Sequence, residues 1–419
     1  MYYWVKTMLI ITKDNIAEYL QKHIEGFHAE DVTEISMIGE GEAESDGDGY
    51  VNYIFRVHTR DKNYVLKQGL EVARVSGEKM ALYRNRLEYE SMKIRAAIAP
   101  EYVPVLYFQD EENNLFVTED VSYLGISRFQ FNHNRMFEDY GRLCGDCMAR
   151  NEFYTSEIYL DRDQFRKLLV KFDNTPMRRI MEDGMFLDRF GLEEYDESLG
   201  KGFVDFAEQI STDDRYITEL FKLRRNYMSH VDALIHADMH TSNIFASDHE
   251  IKVIDFEFSF MGPFGYDLGY LTGNLISQYC AACFKEFENE TKRLEYKAYL
   301  LATIKSMYRT YFMTFTELWN EDSKKRYRPR TEFRRSIFDE IMTSAPGYAS
   351  MVNWFRAASP IDYPDFDVIT DVNKRRIATT LSLLIDWELM FGRYSYQSVD
   401  DLIDTILFVE KKFMNAISK

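Results

Sequence analysis

The order in which the hydrophobic period changes over the first 120 or so residues constrains this chain more than any other feature. Residues 13–26 carry Ile16, Tyr19, Leu20 and Ile24 at helical spacing behind Asp14, which suits a helix cap. Over 34–69 the period drops to two, because SMIGEG, YVNYIFRVHT and NYVLKQG are short β-rich runs separated by Gly and Asp turns. Helical spacing returns over 77–97, and VPVLYFQD and NNLFVTEDV then flank the turn EENN as two further strands. A β-β-β-α-β-β order of this kind predicts an antiparallel sheet with one long helix beside it.

Beyond Ser122 the pattern is mostly helical, near 135–153, 162–183, 201–229, 263–287, 290–319, 331–343 and 371–415. Only two short β-rich pieces interrupt it, at 234–246 and 250–256. No internal repeat or low-complexity tract is present, so the change of class falls at a short hinge near 118–122. At 419 residues the chain exceeds one ordinary core. The expectation is α+β in two lobes: 1–120 with the sheet and its helix, and 121–419, mainly helical.

Composition narrows the partners. Hydrophobic residues at 46% and charged residues at 29% describe a soluble globular protein, and 8 Pro with 20 Gly leave little room for disordered linkers. A net charge of −18 disfavours nucleic acid and anionic membranes as general partners, while a local donor cluster can still hold a phosphate. The apolar start MYYWVKTMLII is too short to span a bilayer and lacks the features of a signal peptide, so a cytoplasmic protein is expected. Cys144/Cys147 and Cys280/Cys283 form two C-x2-C pairs. They lie too far apart for a zinc ribbon and sit in helical segments, so they are read as buried thiols.

The stretch LIHADMHTSNIFASDHEIKVIDFEFSF carries the chemistry. Asp238 and Asn243 precede a tight turn, and the apolar run 251–254 ends at Asp255-Phe256-Glu257. Phosphoryl transfer needs a carboxylate to orient the attacking hydroxyl and oxygen ligands for Mg²⁺ on the phosphates. Asp238 suits the first task, and Asn243, Asp255 and Glu257 the second. A lone Asp/Asn pair would be ordinary turn chemistry, but the full set followed by a strand ending in D-x-E is far more specific. His236 is expected to brace the loop, and His240 either to brace it or to touch substrate.

Two further signals lie upstream. GDGYVNYIFRV sets Gly47, Gly49 and Asn52 at a turn entering a strand, and Lys67 follows on the next strand; backbone N–H groups and a lysine so arranged can hold phosphate oxygens. Either Glu88 or Glu90 on the following helix can pair with Lys67, with Glu88 preferred. LFVTEDVS, between the lobes, offers adenine backbone donors and acceptors near Glu119 and Val121.

These stretches, with RNRLE at 84–88 and KVIDFEFSFMGPFGYDLG at 252–269, resemble the S-methyl-5-thioribose kinases, relatives of choline kinases and aminoglycoside phosphotransferases. The resemblance covers roughly 38–124 and 233–276. It implies a protein-kinase-like bilobal fold, use of ATP and Mg²⁺, and transfer of the γ-phosphoryl group to the anomeric hydroxyl of methylthioribose in methionine salvage. By the same resemblance Asp238 takes the catalytic position, and Asp255 and Glu257 the metal positions. Lys67 takes the place of the nucleotide-phosphate lysine, and Arg375-Arg376 that of an arginine pair on the substrate side. A homodimer is a further expectation from the family.

The chain departs from the family at Ala237, where a glycine is usual, at Ser242-Asn243, and at Phe256, where the family has proline. Met80, in GEKMAL, replaces the tryptophan of a substrate-side loop and leaves the acceptor open. An amino-alcohol or aminoglycoside kinase is the alternative within enzymes. A non-catalytic nucleotide-binding pseudokinase is the alternative outside them, and retention of Lys67, Asp238, Asn243 and Asp255 argues against it.

Overall fold

The computed structural model describes residues 8–39, 52–74, 77, 79–187, 195–359 and 364–418. Gly47 and Gly49 of the expected phosphate turn lie outside the described residues. Five antiparallel strands form one sheet in the order β1-β2-β3-β5-β4: β1 Val32–Met37, β2 Tyr53–Thr59, β3 Asn63–Gln68, β4 Leu106–Asp110 and β5 Leu115–Glu119. The β4–β5 turn closes through Asn114 in the left-handed region, at φ 49°, a conformation that asparagine tolerates well.

Strand alternation gives the sheet two faces. Phe55, Val57, Leu66, Leu115 and Val117 join Ile16 and Leu20 of α1 (Ile16–His23) in a small separate core. The intervening residues Ile54, Arg56, Val65, Lys67, Phe116 and Thr118 point the other way, into a cleft. Register stacks Ile54, Lys67 and Phe116 side by side across β2, β3 and β5. A one-residue slip would send Lys67 into the apolar core, so burial of one face enforces its position.

Helix α2 (Tyr83–Ile98) lies between the sheet and the rest of the chain. After β5 come α3 (Ser127–Asn132), α4 (Tyr140–Thr155), α5 (Arg162–Lys171), α6 (Thr175–Glu182), α7 (Lys201–Ser211) and α8 (Asp214–Ser229). Two short ladders follow, β6 (Ala233–Ile235) with β9 (Phe260–Gly262), and β7 (Ile244–Ala246) with β8 (Ile251–Val253). The chain continues through α9 (Tyr266–Ala282), α10 (Glu290–Asp322), α11 (Thr331–Ala358), α12 (Pro364–Asp367), α13 (Val372–Gly392) and α14 (Val399–Ile417). The fold is thus α+β with a small sheet lobe and a large helical one.

Element boundaries differ from the sequence expectation in several places, and 201–229 is two helices, α7 and α8, with Asp213 capping the second. The region 162–183 divides between α5 and α6, where Asn174 takes a left-handed φ of 46°. Helix α11 runs on past 343, through the buried Pro346, because packing compensates for the one backbone bond that proline removes. The region 371–415 breaks after Gly392 into α13 and α14, and a new capping box at Ser398 starts the second.

Helix α9 is buried along its whole length. It packs on α11 at Gly269 and Gly273, where a β-carbon would lie 2.4 Å from Ala345 O and 2.7 Å from Ala349 O. These glycines set the depth at which α9 presents its first turn to the cleft. The four cysteines are free and buried on α4 and at α9. Among the described residues no helix is long and apolar enough to cross a membrane.

Candidate active site

A cleft of about 500 Å³ separates the sheet from the helical lobe. Its sheet wall is the Ile54–Lys67–Phe116 face, its back is Glu119, Asp120 and Val121, and its floor holds Asp238, Asn243, Asp255 and Glu257. The far wall carries Arg128, Met181, Met185, Tyr270, Phe355 and Arg356.

The loop that bears Asp238 is held by backbone bonds to buried groups. Asp267, on the first turn of α9, accepts from the N–H of His236 at 2.6 Å and of Ala237 at 2.9 Å. That pair supports Ala237 at φ 68°, where a residue with a β-carbon is strained. His236 Nε2 donates to Ile254 O at 2.9 Å while its Nδ1 accepts the Asp238 N–H at 3.2 Å, so the ring is a brace. Burial lowers the pKa of His236 and keeps it neutral. Ile254 N–H in turn donates to Asn243 O at 3.0 Å, which ties the loop to the segment ending in Asp255.

Both oxygens of Asp238 are engaged. Tyr270 donates its hydroxyl to Oδ1 at 2.9 Å, and His240 Nε2 lies 3.4 Å from Oδ2. Burial opposes ionisation, but His240 and the Tyr270 hydroxyl outweigh it and hold this carboxyl at about 2. Asn243 donates its Nδ2 to Asp238 O at 3.1 Å, and this leaves its amide oxygen for another partner.

Opposite, Lys67 Nζ lies 2.7 Å from Glu88 Oε2 and 2.5 Å from Asp255 Oδ1. Glu90 instead pairs with Lys171 at 2.6 Å, outside the cleft. Burial disfavours charge on Lys67, but Asp255 and then Glu88 outweigh it and raise its pKa. Glu257 accepts from Asn52 Nδ2 at 3.0 Å and lies 3.3 Å from Arg84 Nε, and Arg84 also donates to Asn52 Oδ1 at 2.7 Å. Burial raises the pKa of Glu257 and of Glu88, in both cases against the pull of Lys67. Oxygens of Glu88, Asp255 and Glu257 all fall within 4.8 Å of one another. Three carboxylates thus share two cations, Lys67 and Arg84, which leaves a deficit of positive charge that a hard divalent cation fits.

At the back of the cleft the Val121 N–H has no acceptor among the described residues, while Glu119 O accepts from Thr118 Oγ1 at 3.1 Å. Arg56 Nε lies 3.3 Å from Asp120 Oδ2 beside them.

The cleft does not gather every expected residue. Arg375, on the first turn of α13, pairs with Asp367 at 3.0 Å, and Arg376 lines a different groove with Gly200 and Phe203. Met80 sits in the turn before α2, its N–H bonded to Glu71 O at 2.7 Å, and is not among the residues that line the cleft. The arginine that does reach the far wall from the C-terminal part of the chain is Arg356, following Phe355 on α11 and donating from Nε and Nη2 to Oδ2 of the buried Asp365. Arg84, Asp267, Tyr270, Arg128 and Arg356 were all missed as site residues. RNRLE and GPFGYDLG contain the first two, so their motifs were visible though their partners were not; the other three carry no local signal.

A model of the phosphotransferase enzyme family matches residues 42–296. A methylthioribose kinase of Geobacillus thermodenitrificans (strain NG80-2) is 31% identical over 368 residues, 87% of this chain and 90% of that protein. A methylthioribose kinase of Bacillus cereus (strain AH820) is 31% identical over 372 residues, covering 86% and 89%. The solved structure of a glucosamine kinase aligns over 81% of this chain and 83% of its own at 12% identity and a TM-score of 0.45, a likeness too distant to bear on the chemistry.

Proposed function

This chain belongs to the phosphotransferase enzyme family and, within it, to the methylthioribose kinases, and from that premise we propose that it transfers the γ-phosphoryl group of ATP, with Mg²⁺, to the anomeric hydroxyl of S-methyl-5-thioribose or a closely related pentose. The reaction serves methionine salvage in the cytoplasm, and residues 1–120 form the nucleotide-binding lobe. The observation that carries the reading is the convergence of Lys67 from β3, Asp238 and Asn243 from one loop, and Asp255 from the end of β8 on one cleft.

In this reading adenine lies between Ile54, Val65 and Ile254, and the Val121 N–H donates to the base. Lys67, held by Glu88, meets phosphate oxygens. Asp255, with Asn243 and Glu257, would hold Mg²⁺, which neutralises charge on the phosphates when bound. Asp238 orients the acceptor hydroxyl and accepts its proton as the new P–O bond forms and ADP departs. With a carboxyl held at about 2, its main contribution is orientation, and the proton moves late in a loose transition state. Arg128 and Arg356 on the far wall suit sugar hydroxyls and oppose a cationic acceptor such as choline or an aminoglycoside.

The test is Mg²⁺-dependent ADP release with methylthioribose, ribose, choline and an aminoglycoside as acceptors. Turnover with methylthioribose at least tenfold above the others is expected, on the order of one lost apolar contact or more. Preferential turnover of choline or the aminoglycoside would overturn the acceptor, and no turnover with any of them the reaction class.

A further inference from the structure

Tyr270 stands three residues after Asp267 on α9, so one face of a helix end serves the catalytic loop twice. Asp267 takes the loop's backbone N–H groups, and the Tyr270 hydroxyl reaches Asp238 Oδ1 at 2.9 Å. An ionised carboxylate only accepts, so the phenol is the donor. On the other side His240 Nδ1 accepts the Ser242 N–H at 3.2 Å, which puts the ring proton on Nε2, facing Asp238 Oδ2. A carboxylate rotates through a broad torsion when unrestrained. Here two donors, one on each oxygen, fix its plane, and the cleft that Asp238 lines offers the partner for the remaining lone pairs.

We infer that Tyr270 is a positioning residue that directs Asp238 to the acceptor hydroxyl and away from water, so that it sets the partition between sugar phosphorylation and ATP hydrolysis. The inference rests on Asp238 acting as proposed above. In the productive reaction the acceptor oxygen bonds to the γ-phosphorus, the bond from that phosphorus to the β,γ-bridging oxygen breaks, and ADP leaves with the electron pair. The acceptor proton passes to Asp238. In the wasteful reaction water takes the acceptor's place and inorganic phosphate is formed. Tyr270 occupies Oδ1, where a carboxylate without it would bind a water beside the nucleophile's position. Its ring lines the cleft and lies 5.9 Å from the Tyr266 ring, so phenylalanine keeps that ring and removes the hydroxyl that donates to Asp238.

The experiment measures ADP released and sugar phosphate formed by Tyr270→Phe, with methylthioribose as acceptor. The expected result is a fall of about 10- to 100-fold in kcat for sugar phosphorylation, since a small misplacement of a reacting group costs that much, with KM for ATP unchanged. The ratio of ADP released to sugar phosphate formed rises severalfold above the wild-type value. Being a ratio, it does not change with the fraction of enzyme folded. A ratio equal to the wild type's would overturn the inference, whatever the fall in kcat. Asp238→Asn, assayed alongside, separates the two claims. Near-normal turnover there removes the role given to Asp238 and this inference with it, whereas an inactive Asp238→Asn beside an unaltered Tyr270→Phe removes this inference alone.

Discussion

Lys67 Nζ lies 2.7 Å from Glu88 Oε2, a pair that ties strand β3 to helix α2 with side chains 7% and 2% exposed. Lys67 also reaches Asp255 on the opposite lobe, so its orientation depends on a balance between two carboxylates. Glu88→Gln removes the charge on the α2 side and lets Lys67 lean on Asp255. The expected outcome is a loss of about 10- to 100-fold in kcat/KM for ATP, together with a higher Mg²⁺ concentration for half-maximal rate. Initial rates over an ATP and Mg²⁺ grid check both, and unchanged Mg²⁺ dependence would contradict the proposed competition.

Arg84 is the cation of the second buried cluster, fully enclosed between Leu70 O, Ala81 O, Asn52 and Glu257. Arg84→Met leaves the Glu257 carboxylate buried without its nearest guanidinium. Removing one member of a buried pair costs about 3–5 kcal/mol. Urea unfolding should show a loss of at least about 2 kcal/mol, allowing for Asn52 remaining bonded to Glu257. A midpoint unchanged from the wild type would mean that Glu257 is stabilised chiefly by other groups.

Ala237 occupies the left-handed region at φ 68° within the loop. A β-carbon there costs about 1–2 kcal/mol, while glycine forfeits about 0.4–1 kcal/mol through its freer unfolded chain. Ala237→Gly is therefore expected to be neutral or stabilising by up to about 1.5 kcal/mol. Ala237→Val should be destabilising by more than about 2 kcal/mol, since a β-branched residue tolerates this region worst. Thermal midpoints of the two variants against the wild type test the order.

Lys285 donates to Phe131 O at 3.1 Å and to Asn132 O at 3.3 Å, over the Tyr296 ring. Burial drives its pKa down to about 7, with Asp365 opposing. A lysine so depressed binds fewer protons folded than unfolded between pH 7 and the usual lysine range. The native state is therefore favoured as pH rises through that window, and the gain is lost progressively as pH falls from the usual lysine range to 7, below which the dependence vanishes. Relative to Lys285→Met, the wild type should gain at most about 1.4 kcal/mol per pH unit between pH 7 and 9.5. Denaturation of both proteins across that range gives the difference directly. Parallel pH profiles would show that Lys285 titrates normally.

Much of the fold was legible because its determinants are local. Alternation in YIFRV, YVLKQ and LFVTE separates the residues facing α1 from those facing the cleft, and that alone aims Lys67 at the site. The breaks that were missed, at Asn174, between Ser211 and Asp214, and after Gly392, depend on where neighbouring helices leave room for a turn. Pro346 shows the converse, a helix continued by packing where the residue itself reads as a stop.

The sequence by itself determined the kind of lobe on each side of the hinge and the oxygen and nitrogen groups that phosphoryl transfer needs, because strand and helix periods and the D-x4-N and D-x-E spacings are properties of short stretches. Only the tertiary structure decided which groups meet. Glu88 and not Glu90 reaches Lys67, since two residues along α2 turn a side chain by more than half a circle, from the cleft towards Lys171. Arg356 and not Arg375-Arg376 lines the far wall, and Tyr270 holds Asp238. Each of these contacts joins residues on separate elements, and its existence follows from how deeply one helix packs on another, as Gly269 and Gly273 allow α9 to pack on α11.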